Sequence, residues 1–95
     1  MRWIWDDNKN RNNQRKHGFS FETAQLVFND PLALSRADTH SDGDRYQTVG
    51  RIGPVLVFVV HTWPYVDHRG DEVGRIIGAR KATSHERKAY EEGHF

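Results

Sequence analysis

The fold of this chain is decided by one run of eight residues, Val55-Leu56-Val57-Phe58-Val59-Val60-His61-Thr62. Its first six side chains are apolar and most of the run is β-branched, which is typical of a central strand covered on both faces. Gly53-Pro54 turns the chain immediately before it. Arg45–Ile52, which precedes that turn, alternates polar and apolar side chains and predicts a half-buried strand. The two runs together predict an antiparallel hairpin in the middle of a sheet.

Three more segments follow the hairpin. Trp63–Asp71 contains Pro64 and Gly70 and is expected to be a connecting loop. Glu72–Arg80 predicts a further strand. Thr83-Ser84-His85-Glu86 is a capping box that opens a last helix.

The N-terminal third predicts a short strand and a polar helix. Trp3-Ile4-Trp5 is β-prone and predicts the strand. Asp6 is a good N-cap for a helix over Asp7–His17, which Gly18 can end. This helix has no apolar residue, so no stripe of it can fill a core. Four of its polar side chains instead share one face at the spacing usually given to core residues: Lys9, Asn13, Lys16 and His17.

A second helix is predicted from the capping residue Ser20 to about Phe28, and the apolar segment Leu32-Ala33-Leu34 follows it. Asp38–Asp44 is polar and breaks the periodicity, so we expect a surface turn there. In chain order the elements read β-α-α-β-β-β-β-α, with short connections in the second half. This order predicts an α+β fold in a single domain over residues 1–95, with a small antiparallel sheet packed against N-terminal helices and a C-terminal helix.

The composition limits the function more than it specifies it. The 95 residues leave room for one small domain, which cannot enclose a large cofactor cavity. Fourteen Lys and Arg against thirteen Asp and Glu give a net charge of +1, so any basic surface must arise from folding. The absence of Cys excludes disulfides, thiolate zinc sites and cysteine nucleophiles, and it suits a reducing compartment. We therefore expect a cytoplasmic protein without cofactors.

No segment of the sequence predicts insertion into a membrane. The longest apolar run, Val55–Val60, has six residues, whereas a spanning helix needs about twenty. Residues 1–7 lack the apolar stretch of a secretory signal. We therefore expect no membrane partner.

Metal and nucleotide motifs are weak or missing. Asp38-x-His40-x-Asp42-Gly43 resembles the start of a calcium loop, but Val49 stands where that loop requires a bidentate Glu. The six His residues form no H-x-x-x-H pair, so we expect no metal site. The chain also has no Gly-rich phosphate loop and no G-x-S-x-G elbow, so nucleotide hydrolysis and esterase chemistry have no support.

The charged side chains around the predicted sheet leave two interpretations open. In the first, Arg, Lys, His and a Glu cleave phosphodiesters without metal, by stabilising charge on phosphate and moving protons. In the second, Glu72 is an ordinary strand-end carboxylate and His17 is favoured by the dipole at the C-terminus of the first helix. The basic side chains are then solvated surface charges: Arg75, Arg80, Lys81 and Arg87.

Three blocks of sequence carry a resemblance to a known family. They are Trp5-Asp6-x-x-Lys9-x-x-x-Asn13-x-x-Lys16-His17-Gly18-x-x-Phe21-x-x-Ala24, then Val27-Phe28-x-Asp30-Pro31, then Arg75-Ile76-Ile77-x-Ala79-Arg80-Lys81-Ala82-x-x-x-Glu86-Arg87-x-x-Tyr90. In this order they resemble the BrnT toxin family, the small ribonuclease toxins of type II toxin–antitoxin systems. The resemblance covers almost the whole chain.

The resemblance implies a fold, an activity and partners. The fold would be similar to that of the RelE and ParE toxins, an antiparallel sheet packed against helices. The activity would be metal-independent cleavage of RNA that inhibits translation, with attack of a ribose 2′-hydroxyl on the adjacent phosphate. A BrnA-type antitoxin with a ribbon-helix-helix domain would neutralise the toxin, and DNA would be contacted only through the complex with that antitoxin.

The resemblance also implies roles for particular residues. The catalytic set is Glu72, Arg75, Arg80 and His17. The substrate-binding set is Lys9, Asn13, Lys16, Lys81, Arg87 and Tyr90. A regular strand places Glu72 and Arg80 on one face and Arg75 on the other. A bulge at Gly74 is therefore predicted, because it would bring Glu72 and Arg75 to the same side.

Three positions depart from the family pattern. Gly78 stands where Ser is common, Gly74 where an apolar residue is usual, and Trp63-Pro64 where many members have an Arg. The altered Trp63 region motivates one alternative function, a toxin-like scaffold without catalysis. A second alternative is an inhibitory binding module of the ParE type, which stops its partner by docking. Cleavage of purified RNA distinguishes the binding module from a ribonuclease, and growth arrest after induction without the partner would argue against the inactive scaffold.

Overall fold

The computed structural model describes residues 1–39 and 44–95. In chain order the elements are β1 (Arg2–Ile4), α1 (Asp7–His17), α2 (Phe21–Ala24), a 3₁₀ turn (Gln25–Asn29), β2 (Leu34–Ala37), β3 (Arg45–Ile52), β4 (Val55–Thr62), β5 (Tyr65–Val66), β6 (Glu72–Lys81) and α3 (Ser84–Glu92). Residues 40–43, which hold most of the calcium-like motif and most of the predicted surface turn, lie outside the described residues. Among the described residues, no helix has both the length and the apolar character that a membrane span requires.

The strands form one mixed sheet in the order β1-β6-β4-β3-β2, with β5 also paired to β6. The predicted hairpin of β3 and β4 is confirmed, and β4 is the central strand. The prediction of a purely antiparallel sheet is wrong at one edge, because β1 runs parallel to β6. Two helices and most of the sheet separate these two strands in the chain, so no hairpin constrains their relative direction.

Two segments differ from the sequence prediction in local structure. The predicted loop Trp63–Asp71 contains β5, which pairs with the start of β6 where β4 has ended. Trp63-Pro64 separates β4 from β5, so strand pairing with β6 is interrupted there and resumes at Tyr65. This is expected, because proline has no N–H to donate to a neighbouring strand. The predicted second helix changes to a 3₁₀ turn after Ala24. This turn places Val27 against Gly50, where an added Cβ would lie 3.0 Å from the Val27 Cβ.

The sheet has two unlike faces. The face that we call the helical face is covered by α1, α2 and the 3₁₀ turn, and it holds the larger core cluster: Phe21, Ala24, Val27, Val57, Val59, Ile76 and Ala79. The opposite face, which we call the α3 face, holds a smaller cluster of Val49, Leu56 and Tyr90. Because α3 packs only over this second cluster, the end of the α3 face nearest to Thr62 stays open.

Side-chain amides attach the polar helix α1, which has no buried residue, to the rest of the fold. The Asn13 amide donates to the Phe19 carbonyl at 2.9 Å, and its oxygen accepts the Ala79 N–H at 3.0 Å. The Asn10 oxygen accepts the Phe21 N–H at 2.8 Å. These bonds satisfy backbone groups that the sheet and helix leave unpaired, so a helix without apolar residues can still dock.

The bulge in β6 lies at Ile77, and the prediction of a bulge at Gly74 is wrong. Ile76 pairs with His61 and Gly78 pairs with Val60, which leaves Ile77 as the extra residue. Gly74 is in regular register with Trp3 of β1. A Cβ at position 74 would lie 2.3 Å from the Trp3 ring, so the glycine is needed to make room for the indole.

Gly74→Ala tests this explanation, with Gly78→Ala in the same strand as the matched control. We expect Gly74→Ala to lower the free energy of unfolding by about 1–3 kcal/mol, because the indole must leave its packing position. Gly78→Ala should be nearly neutral, since the added Cβ would lie at an ordinary 4.0 Å from the Asn13 side-chain oxygen. Urea unfolding of both variants measures the difference, and equal stability of the two would contradict the steric explanation.

Candidate nucleic-acid interface

The bulge at Ile77 decides which charged residues of β6 share a face. Ile76 and Ala79 both join the core of the helical face although they are three residues apart. Arg75 and Arg80, their outer neighbours, therefore both project from the α3 face. Glu72 lies in alternation with Ile76 and projects from the helical face. The structure thus brings Arg75 and Arg80 to one side and separates both from Glu72, which corrects the predicted arrangement on both counts.

Arg75 lies at the open end of the α3 face. Its backbone N–H donates to the Thr62 hydroxyl at 3.0 Å, and its side chain is exposed. Its guanidinium makes no hydrogen bond or ion pair with any other residue that the structure describes. A cation in this state is available to an anionic ligand.

Two further arginines project from the α3 face, and the guanidinium of one of them, Arg36, lies over the Phe95 ring at 3.9 Å from its centroid, beside residues of α3. Arg36 and Gln47 are opposite each other on β2 and β3, and the Arg36 Nε donates to the Gln47 side chain at 2.8 Å. Arg45 is opposite Thr62. Residues opposite each other on paired strands share a face. We call the region at the Thr62 end, defined by Arg45 and Arg75, the open arginine surface.

Arg80 is not a freely solvated charge, which corrects that interpretation of it. Its two terminal nitrogens donate to the two carboxylate oxygens of Glu86, at 2.8 and 3.0 Å. Its guanidinium also lies over the Phe58 ring, 4.2 Å from the centroid. Burial alone would raise the pKa of Glu86, but hydrogen bonds from Arg80 and from the Thr83 backbone lower it below its usual value. Arg80 therefore anchors the start of α3 to the sheet.

Three other residues assigned to substrate binding have different surroundings. Tyr90 is 9% exposed, and its hydroxyl donates to the Asp30 carboxylate at 2.6 Å, a bond that is the main reason why its pKa is raised. Arg87 is half-buried on α3, and Lys81 is exposed at the end of β6. Tyr90 thus holds α3 in place, and the binding roles of all three residues stay predictions.

The basic residues of α1 surround the bulge. Lys9, Lys16 and His17 line a shallow depression of about 320 Å³ together with Ile77. Ile77 and Arg75 are two positions apart on β6, which is about 7 Å along a strand. The α1 stripe, which we define as Lys9, Asn13, Lys16 and His17 on one face of α1, therefore lies beside β6 at a point two positions from Arg75. Asn13 belongs to the same stripe, but its amide is bonded to backbone groups within the fold.

A second concave site lies on the helical face at the start of β6, and Glu72 belongs to it. We call it the aromatic pocket; its volume is about 240 Å³, and it is lined by Met1, Trp3, Phe28, Ser35, His61, Trp63, Pro64 and Glu72. Within the part of the chain that the structure describes, no three His, Asp or Glu side chains are grouped so that they could hold a metal ion.

His61 is a buried residue of this pocket that sequence reasoning missed. Its Nε2 lies 2.6 Å from the Thr48 hydroxyl, and that hydroxyl lies 2.6 Å from the Ser35 hydroxyl. Its Nδ1 lies 2.8 Å from the Thr62 carbonyl oxygen, and burial lowers its pKa. These residues come from three strands and meet only through strand register, so nothing in their spacing along the chain could have indicated the cluster.

Because the His61 imidazole is buried, we expect the protein to be less stable in mild acid. Because the pKa of His61 is lower in the folded than in the unfolded chain, the unfolded chain binds more protons once the pH falls below about 6.5. The free energy of unfolding should therefore decrease as the pH falls, by at most about 1.4 kcal/mol per pH unit. Urea unfolding between pH 7.5 and 5.5 measures this slope. His61→Gln should flatten it, whereas His68→Gln, at an exposed position, should leave it unchanged.

A comparison with protein families gives a match over most of the chain. The family model described as "Ribonuclease toxin, BrnT, of type II toxin-antitoxin system" matches residues 5–86. The matched range includes α1, the bulged strand β6 and Glu86. No curated protein sequence matches the chain significantly.

Proposed function

Because the chain belongs to the BrnT family of ribonuclease toxins of type II toxin–antitoxin systems, we propose that it is an endoribonuclease that cleaves RNA without a metal ion and thereby inhibits translation in the cytoplasm. The observation that carries this proposal is the exposed guanidinium of Arg75, which makes no hydrogen bond or ion pair with any other described residue and lies two positions along β6 from the depression beside α1. We also propose that the sheet and helices are a variant of the RelE- and ParE-type toxin fold.

In the proposed reaction the RNA supplies its own nucleophile. The ribose 2′-hydroxyl oxygen attacks the adjacent phosphorus, and its proton passes to a base on the protein. The bond from phosphorus to the 5′-oxygen breaks, and that oxygen takes up a proton. The products are a 2′,3′-cyclic phosphate and a free 5′-hydroxyl. Arg75 stabilises the additional negative charge on the phosphate oxygens, which is the step where a positioned cation contributes most.

We propose His17 as the base. It lines the depression beside Ile77, two positions from Arg75 along β6. Glu72 projects from the opposite face of the same strand, and it lines the aromatic pocket. Lys9 and Lys16 lie on the α1 stripe with His17, and their charges would hold the neighbouring phosphates of the strand.

The proposed partner is a BrnA-type antitoxin with a ribbon-helix-helix domain. An acidic segment of this antitoxin would cover the open arginine surface and the α1 stripe, and it would compete with RNA for the same charges. The toxin need not change its fold, since exclusion of RNA is enough to stop cleavage. Contact with DNA would be made by the antitoxin.

Cleavage of RNA in excess chelator tests the proposed function. We expect purified protein with EDTA to cut a 5′-labelled RNA and to leave cyclic phosphate and 5′-hydroxyl ends, which are identified by their reactivity with polynucleotide kinase. Activity that requires added magnesium would overturn the metal-independent mechanism. A protein that arrests growth but leaves RNA intact would instead be an inhibitory binding module.

A further inference from the structure

The aromatic pocket has the size and walls of a site for a single ring system. Its volume of about 240 Å³ is below the about 300–1,000 Å³ of pockets that hold drug-sized ligands. Trp3 and Phe28 stack on each other in its wall, with ring centroids 4.0 Å apart. Trp63 lies at the rim and is 54% exposed, and its ring is supported by Tyr46 at 4.9 Å. A supported and exposed indole is a stacking platform for an unpaired base.

The hydrogen-bond chain behind the pocket fixes what Ser35 can offer to a ligand. The Thr62 carbonyl can only accept, so the Nδ1 of His61 carries the proton of the neutral ring. The Nε2 must then accept the hydroxyl proton of Thr48. The Thr48 oxygen in turn accepts the hydroxyl proton of Ser35. Ser35 therefore has no proton left for a ligand and presents only lone pairs to the pocket.

Glu72 adds two more acceptors at the same pocket. Its carboxylate is exposed and makes no hydrogen bond or ion pair with the other residues that the structure describes. A carboxylate with both oxygens free binds best to two adjacent N–H donors. Guanine has such a pair on its Watson–Crick edge, the ring N1–H and the exocyclic amino group. Adenine, cytosine and uracil place an acceptor beside each donor on that edge, so a carboxylate would meet repulsion there.

We propose that the aromatic pocket binds an unpaired guanine base of the RNA, with the base stacked on Trp63 and its donor edge bonded to Glu72. The presence of RNA at this place rests on the proposed function. The proposal makes Glu72 a residue of base specificity and removes it from the proton-transfer step. It also gives the opposite faces of β6 separate tasks, because Arg75 acts on a phosphate while Glu72 selects a base.

The first test is the binding of single nucleotides, measured by calorimetry with the full chain. We expect GMP to bind about tenfold or more tightly than AMP, and than IMP, which lacks the exocyclic amino group. Glu72→Gln should remove this preference, because an amide presents one donor where the site needs a second acceptor. Asp71→Asn is the matched control, since it removes the neighbouring exposed negative charge without changing the pocket.

The outcomes separate this proposal from the proposed function. Equal affinity for GMP, AMP and IMP would overturn the guanine site, and so would the same loss of preference in Glu72→Gln and Asp71→Asn. Cleavage of RNA oligonucleotides with no preference for guanine over inosine would also overturn it while leaving the ribonuclease intact. Selective GMP binding by a protein that cuts no RNA would support the pocket and overturn the proposed function.

Discussion

Arg75→Ala should lower the rate of RNA cleavage by about 10²–10³-fold and leave the melting temperature nearly unchanged. The rate should fall because a positioned donor that stabilises charge in the transition state typically contributes this much. Stability should persist because the side chain is exposed and its guanidinium makes no hydrogen bond, ion pair or ring contact in the described parts of the chain. Single-turnover cleavage of a labelled RNA and a thermal melt provide the two measurements.

Arg69→Ala is the control for a general loss of positive charge. Arg69 is exposed in the turn before β6, and its backbone N–H donates to the Asp67 side chain, while its guanidinium has no hydrogen bond or ion pair with any residue of 1–39 or 44–95. It should keep nearly full activity. If Arg75→Ala retains more than about a tenth of the activity, or if both variants lose activity equally, then Arg75 does not act on the scissile phosphate.

Arg80→Met should instead reduce stability strongly, by about 2–4 kcal/mol. The substitution keeps an apolar side chain over Phe58 but leaves the carboxylate of Glu86 without its charged partner, at a site where Glu86 is 7% exposed. For a domain of this size each kcal/mol corresponds to about 4–8 °C in the melting temperature. Thermal and urea unfolding should both detect the change.

A double-mutant cycle separates the ion pair from other effects of the substitution. Glu86→Gln keeps the acceptor that the Thr83 N–H needs and removes the charge. The double variant Arg80→Met, Glu86→Gln should therefore lose less than the two single variants together, because no buried charge is left unpaired. Strict additivity, or a melting temperature of Arg80→Met close to that of the original protein, would show that the pair does not hold α3.

The strands and helices were largely predictable because their signals are local. The apolar run Val55–Val60 required a buried strand, and the observed β4 is central. Asp6 caps α1 through the Lys9 N–H, and Gly18 ends the helix in the left-handed conformation, with φ of 79°. Each of these features depends on residues that are only a few positions apart in the sequence, so it can be predicted without knowledge of the fold.

The arrangement of the candidate site could not be predicted, because it depends on contacts between residues that are distant in sequence. Gly74 was a reasonable position for a bulge, but whether a strand bulges depends on what its neighbours require. Here Trp3, distant in sequence, occupies the space beside Gly74, and the extra residue is accommodated at Ile77. One shifted residue exchanges the faces of every side chain beyond it. The contact of Arg80 with Phe58 and the cluster around His61 also depend on how the strands are paired.

The attachment of α1 has a consequence for how the protein opens. Apolar contacts weaken gradually when two surfaces slide, whereas hydrogen bonds weaken steeply when their angles change. A helix that is held by the amides of Asn10 and Asn13 is therefore either in one position or detached, with few intermediate placements. α1 has no buried side chain of its own, but it covers the helical face, so its release would also expose the apolar side chains of Ile76 and Ala79. The basic stripe on α1 therefore stays in place only while the core of the helical face is closed beneath it.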